Sequence, residues 1–262
     1  MQTKPNVLIL KTDGINCDEE LGFAFSLAGG NPKTVHINEL RNKSKSLDAF
    51  QILAIPGGFS YGDDIISGKI LAVELTSFFS EALHTFIHKK NTLIIGICNG
   101  FQALIRTGLL PFGDVGTMSA TLTNNTSGHF ECRWVNLQVE PQNSCIFLNN
   151  MSNQNVSYQV AHGEGKFIAS PKTLQHIEDN NLVAIRYADQ FGTATEKYPE
   201  NPNGSLNAIA GLTDPSGRIL GLMPHPERFV TKEQYPNWRR NSIERPQGLP
   251  IFINMIHYAK EL

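Results

Sequence analysis

The spacing of apolar residues changes character partway along the chain, and that change carries the first structural expectation. Through the first half, short apolar runs alternate with stretches in which apolar positions recur every three or four residues. "NVLIL" (Asn6 to Leu10), "KTVHI", "FQILAI" and "TLIIGI" are runs of strand length, and an unbroken apolar run suits a strand covered on both faces. Between them, "DEELGFAFSLAGG" reads as a helix stopped by Gly29 and Gly30, and "KILAVELTSFFSEALHTFIHKK" as one long helix closed by lysines. "NGFQALIRTGLL" is helical directly after "TLIIGI". This alternation of strand and helix is the signature of βαβ units around a parallel sheet.

From Thr117 the period becomes two: "TMSATLT", "CRWVNLQV", "VSYQVA", "LVAIRYA", "NAIAGLT" and "RILGLM" read as strands with no helix among them. The last two flank "DPSG", a turn with Pro second and Gly fourth, which predicts a hairpin. "LPIFINMIHYAKEL" closes the chain as an amphipathic helix. The expected fold is α/β: an open, mostly parallel, flavodoxin-like sheet with helices on both faces and antiparallel strands added in the second half. No repeat or long linker divides residues 1–262, so one domain is expected. Two loose segments are expected, "NKSKS" near Asn42 and "TEKYPENPNGS" (Thr195 to Ser205).

Composition removes several classes of function. A net charge of -2 across 262 residues offers no basic field for a phosphate backbone, so nucleic acid is not an expected partner. The most apolar window, Leu93 to Leu110, is interrupted by Asn99, Gln102 and Arg106, and a membrane span is not expected. The first apolar run is too short for a signal peptide, which points to a cytoplasmic protein. Cys17, Cys98, Cys132 and Cys145 have no metal-ligand spacing, and no metal is expected; a reducing compartment would keep them as thiols.

One of those thiols sits where chemistry is feasible. "GICNG", Gly96 to Gly100, has the form G-x-nucleophile-x-G between an apolar strand and a helix, the context of a sharp elbow that lifts the central side chain above the sheet edge. A helix N-terminus would stabilise a thiolate there, and the backbone N–H of Asn99 could face an oxyanion. The pentapeptide alone leaves a purely structural cysteine equally open. A base must come from elsewhere, and of the eight histidines, His225 in "GLMPHPER" lies at the end of the last apolar strand. In an extended segment His225 and Glu227 face the same side, with Pro226 holding the backbone between them, so the carboxylate could orient the imidazole. "IPGGFSYGDD", following the third strand, brings Gly57 and Gly58 to a third strand end. His84 and His88, four apart on the long helix, read as a solvated face. In a parallel α/β sheet the carboxyl ends of the strands line one crevice, where these segments can converge.

A PGG loop, G-x-C-x-G-x-Q and a late H-P-E, in this order, resemble the class I glutamine amidotransferases, most closely the glutaminase subunits of a synthetase in de novo purine biosynthesis. "NCDEE", "PGGFSYGDD", "GICNGFQALIRTGLLP", "AHGEGKF", "YPENPNGS" and "LGLMPHPERF" carry the likeness from Asn16 to Phe229. It implies Cys98 as nucleophile, His225 as general base and acid, Glu227 as orienting carboxylate, Gly58 and Asn99 as oxyanion-hole donors, and Gln102 in the substrate seat. It also implies a larger ATP-dependent synthetase partner, with a small third subunit as a further partner, and no cofactor on this chain: ATP and Mg belong to the synthetase, since no G-x-x-x-x-G-K-[ST] loop occurs here. Two stretches depart from the usual pattern: the lead "KTDGINCDEE", and "SATLTNNTSGHFECRWVNL", which looks like the longer form found where this domain is fused to its synthetase. The rival readings are another elbow-cysteine hydrolase, of the γ-glutamyl peptidase or DJ-1-like kind, and a catalytically silent regulatory subunit.

Overall fold

A computed structural model describes residues 4–151, 154–240 and 245–260. Its strands are β1 (Asn6–Lys11), β2 (Asn31–His36), β3 (Ile52–Ile55), β4 (Leu93–Ile97), β5 (Ala120–Thr123), β6 (Glu131–Val139), β7 (Asn155–His162), β8 (Lys166–Ala169), β9 (Val183–Ala188), β10 (Ile209–Thr213) and β11 (Ile219–Leu222). The helices are α1 (Asp18–Leu27), α2 (Ile37–Arg41), α3 (Lys69–Phe78), α4 (Ser80–His88), α5 (Asn99–Thr107), α6 (Pro171–Asp179) and α7 (Leu249–Lys260). The expected terminal helix is present, and its last two positions, 261 and 262, lie outside the described residues.

Nine strands form one sheet in the order β2-β1-β3-β4-β11-β10-β9-β6-β7. The pairs β1–β2, β1–β3, β3–β4 and β4–β11 are parallel, which is the flavodoxin-like 2-1-3-4-5 order with β11 in fifth place. β3 and β4 are buried at every residue, so their side chains pack under helices on both faces. Beyond β11 the sheet turns antiparallel through β10, β9, β6 and β7, and the hairpin predicted at "DPSG" joins β10 to β11. β5 and β8 pair in a small separate sheet. There the long mid-chain stretch buttresses α5, with Arg106 Nη2 donating to the Leu122 carbonyl at 3.1 Å.

Three expectations are corrected. The single long helix is two, α3 and α4, bent by 83°; the corner residue Phe79 is buried, and the bend lets Leu75 on one arm and Leu83 and Phe86 on the other reach the same core. No single described helix is long and apolar enough to cross a membrane. The second half does contain a helix, α6, started by Ser170, whose side chain accepts from the Thr173 N–H at 3.1 Å, with Pro171 in the first turn. That Ser-Pro start was its local signal. The segment expected to be loose at its end, "NPNGS", is instead buried: Asn201, Asn203 and Ser205 are each 1 % exposed or less. Asn201 Oδ1 accepts from the N–H of Gly204 and of Ser205, and Ser205 Oγ accepts from the Phe167 N–H at 2.9 Å. Turn-forming polar residues can line an interior when every polar group finds a partner. "NKSKS" is an exposed turn, in which the Lys45 N–H donates to the Glu39 carbonyl at 3.1 Å.

Candidate active site

Parallel strands β3, β4 and β11 run side by side, so the loops at their carboxyl ends meet above one stretch of sheet edge. Cys98 follows β4 with φ 53 and ψ −106, a conformation that strains any residue with a Cβ. It persists because both sides are fixed: the Cys98 N–H donates to the Leu222 carbonyl at 2.8 Å at the end of β11, and its carbonyl accepts from Gln102 N–H at 3.0 Å in α5. The flanking glycines permit the elbow. A Cβ on Gly100 would sit 2.0 Å from the Ile55 carbonyl oxygen, and one on Gly96 would sit 2.6 Å from that of Gly100.

His225 is brought to this elbow, but by different local geometry from that expected. Residues Pro226–Phe229 form a 3-10 turn, so Pro226 opens a turn rather than extending a strand. The pairing is nonetheless made, because the turn folds Glu227 back: its Oε1 lies 2.5 Å from His225 Nδ1, and both side chains are 1 % exposed. The His225 N–H donates to the Gln159 carbonyl of β7 at 2.8 Å, which fixes the backbone. Burial pushes the imidazole toward its neutral form, but the Glu227 carboxylate and the Cys98 side chain outweigh it and hold the pKa well above the ordinary histidine value. His225 is therefore a proton donor beside the thiol, and its Nε2, free of any hydrogen bond, is the nitrogen available for transfer.

Gly57 measures how closely the groups approach. A Cβ there would lie 2.8 Å from His225 Cε1, 3.4 Å from Cys98 Cβ and 3.3 Å from Cys17 Sγ, so the space between the Cys98 and His225 side chains closes if any side chain is added. Gly57→Ala is expected to keep the fold and slow any reaction that passes between these two groups by about 100-fold or more, because a displacement near 1 Å at reacting groups costs that much. Steady-state kinetics together with a thermal melt check both halves. The peptide joining Gly57 to Gly58 lies against the elbow, and Gly58 takes φ +125, where a Cβ would strike Asn16 N at 2.7 Å.

Asn99 opens α5, where first-turn N–H groups lack intrahelical acceptors. Its side chain accepts from the Ser60 N–H at 3.4 Å and donates to Asp63 Oδ1 at 3.0 Å and Gln102 Oε1 at 3.2 Å. Gln102 donates in turn to the Glu164 carbonyl. Both ends of the Gln102 amide are thus engaged by protein, and it brackets the "AHGEG" segment to α5. Burial raises the Asp63 pKa, eased by the hydrogen bonds from Ser67 and Asn99. Two carboxylates, Asp63 and Glu164, stand beside this bracket; Ser67 hydrogen-bonds both, through its hydroxyl and its N–H respectively.

The neighbouring motifs build buried contacts that their local sequence does not announce. His162 ends β7, buried, with Nδ1 3.1 Å from Asn125 Oδ1, which also accepts from the Gly165 N–H at 3.0 Å. Burial first and the charge of His225 second push His162 down to about 3. An unfolded histidine binds a proton near pH 6.5, so from there down to about pH 3 the unfolded chain takes up a proton that the native chain refuses. His162 therefore drains stability on acidification at ~1.4 kcal/mol per pH unit across that window. Urea unfolding at pH 7 and pH 5 is expected to show a shallower loss in His162→Gln. His225 acts with the opposite sign: its stabilisation is complete below about pH 6.5 and is lost as pH rises through its elevated native pKa. From "NCDEE" come Cys17 and Glu20, both bonded to Arg228: Nη2 lies 3.3 Å from Cys17 Sγ and 2.9 Å from Glu20 Oε1. His84 and His88 stack in an exposed pair.

Residues 4–259 match the CobB/CobQ-like glutamine amidotransferase domain. The chain is 46% identical to a phosphoribosylformylglycinamidine synthase subunit PurQ of Dehalococcoides mccartyi, over 99% of this chain and 100% of that one, and 39% identical to a PurQ subunit of Methanococcus maripaludis over 97% of each. The first match is to a separate subunit of similar length, so the long mid-chain stretch is not confined to fused forms of the domain. In three dimensions it resembles a chain of the PurLQS structure from Thermotoga maritima, with a TM-score of 0.73 at 30% identity over 98% of this chain and 99% of that one. The chain belongs to the CobB/CobQ-like glutamine amidotransferase family and, within it, groups with the PurQ subunits of phosphoribosylformylglycinamidine synthase.

Proposed function

We infer that this chain is the glutaminase of phosphoribosylformylglycinamidine synthase: it hydrolyses glutamine to glutamate and ammonia and delivers the ammonia to a synthetase subunit for phosphoribosylformylglycinamidine formation in purine biosynthesis. The observation that carries the reading is the strained Cys98 elbow set against the buried His225–Glu227 pair, with Gly57 packed against both.

The Cys98 thiolate attacks the side-chain carbonyl carbon of glutamine, forming a C–S bond and an oxyanion that rests on the backbone N–H groups of Gly58 and Asn99. Collapse breaks the C–N bond, and His225 gives its proton to the departing ammonia. The thioester is then attacked by water, which yields its proton to His225; the C–S bond breaks and glutamate leaves. Glu227 keeps the proton on Nδ1 and balances the imidazolium. Gln102 and Asn99 fix Asp63 and Glu164, whose negative field suits the α-ammonium group that marks free glutamine.

None of these steps draws on a bound cofactor, and the ATP and Mg of the ligation belong to the synthetase. The partners are that larger subunit and a small third subunit. A cytoplasmic location fits four cysteines that are all free thiols. Mixing with the synthetase is expected to raise glutamate release from glutamine sharply. Cleavage of γ-glutamyl peptides in preference to glutamine would instead support the hydrolase reading.

A further inference from the structure

Behind the triad, Cys17 and Glu20 offer donor atoms that the reaction does not use, and they converge on His225. Cys17 Sγ, a carboxylate oxygen of Glu20 and a ring nitrogen of His225 all lie within 4.8 Å of one another. Cys17 sits just before α1 and Glu20 in its first turn, at the end of the loop from β1, which borders the β3 loop carrying Gly57 across the point where strand order reverses. We propose that Cys17, Glu20 and His225 form an inhibitory site for a zinc-class divalent cation, which switches off glutamine hydrolysis by holding the imidazole that must carry the proton. The inhibitory consequence rests on the glutaminase reading above; the binding does not.

Three features support the site. His225 offers a buried Nε2 with no hydrogen-bond partner, while its Nδ1 is held by Glu227. A carboxylate on one ring nitrogen with the other free is the arrangement that orients metal-binding histidines and raises their basicity. The donor set is one thiolate, one imidazole and one carboxylate, which suits zinc, with bonds of about 2.3 Å to sulfur and 2.0–2.2 Å to nitrogen and oxygen, and leaves a fourth tetrahedral position open. Magnesium and calcium, which seek oxygen ligands, do not match it. Finally, the pocket already holds positive charge: Arg228 contacts both Cys17 and Glu20, so a metal replaces one cation by another. Glu20 is about one-third exposed and gives a route in.

On binding, the Cys17 thiol, held protonated by burial and by the nearby Glu227 and Glu20 carboxylates, loses its proton to solvent as the S–metal bond forms. His225 gives its lone pair, and Arg228 moves off Cys17 and Glu20 while keeping its contact with Gln159.

Cobalt(II) serves as the spectroscopic probe. Titrated into the full-length Cys98→Ser chain, it is expected to give a thiolate-to-cobalt charge-transfer band that disappears when Cys17 is also replaced by serine. No band, or one indifferent to Cys17, overturns the proposal. In the complex with the synthetase, Zn2+ is expected to inhibit glutamate release, reversibly by chelator, and Glu20→Gln, on an accessible helix turn, is expected to need about tenfold more Zn2+ for the same inhibition. Equal sensitivity of Glu20→Gln places any metal effect on the Cys98–His225 pair alone, and equal inhibition by Mg2+ places it on oxygen ligands elsewhere; either overturns the proposal. A chain that binds cobalt through Cys17 yet releases no glutamate sustains the site and removes the glutaminase reading.

Discussion

Cys98→Ala is expected to abolish glutamine hydrolysis, by about 10⁴-fold or more, while the complex with the synthetase still uses added ammonia. The first half follows because Cys17, the other thiol beside His225, is hydrogen-bonded by Arg228 and kept protonated by burial. The second half follows because the synthetase consumes ammonia whatever its source. Assays with glutamine and with an ammonium salt separate the two, and full glutamate release by Cys98→Ala would remove Cys98 from the reaction. The strained backbone adds a stability test. With φ 53 and ψ −106, position 98 costs any residue with a Cβ on the order of 1–3 kcal/mol. Cys98→Gly, equally inactive, is therefore expected to be more stable than Cys98→Ala by roughly 1 kcal/mol, against the usual direction of an alanine-to-glycine change. Such a gain would mean that the elbow is held under strain for the sake of the thiol's position.

Glu227→Gln is the second large effect, and its signature is in the pH profile. Glutamine keeps the shape and can still accept from His225 Nδ1, but it carries no charge to balance the imidazolium. The rate is expected to fall by about 10²- to 10⁴-fold. Without the carboxylate, burial alone governs His225 and lowers its pKa, so the pH at which the proton donor is lost should move down with it. A merely structural role for Glu227 would lower stability and leave the profile in place; unchanged kinetics with an unchanged profile would sink the assignment.

The two variants also weigh the rivals. A regulatory subunit with a dead site has no reason to bury an ion pair between side chains that are each 1 % exposed, since burying both charges is costly unless the pair serves something. A different elbow hydrolase could use the same pair but has no use for the polar bracket of Asn99, Gln102 and Glu164.

The chain by itself determined its strands and the position of its thiol, because those depend on local rules. An unbroken apolar run such as "TLIIGI" has to be covered on both faces, and Gly96 and Gly100 around Cys98 announce a turn that other residues cannot make. Even "DPSG" specified its hairpin. The sequence misled where the outcome depended on distant packing: nothing local tells Phe79 to bend a helix so that two arms share a core, and polar "NPNGS" reads as surface until Asn201 and Ser205 find partners on Gly204 and Phe167. The triad is the mixed case. Cys98, His225 and Glu227 were legible as residue types, but the Cys17–Glu20–Arg228 cluster behind them was not. Its members are about 210 positions apart, and only the crossing of strand order at β1 and β3 brings them within reach of one imidazole. Local chemistry sets which groups a segment can offer; the register of the sheet decides which of them meet.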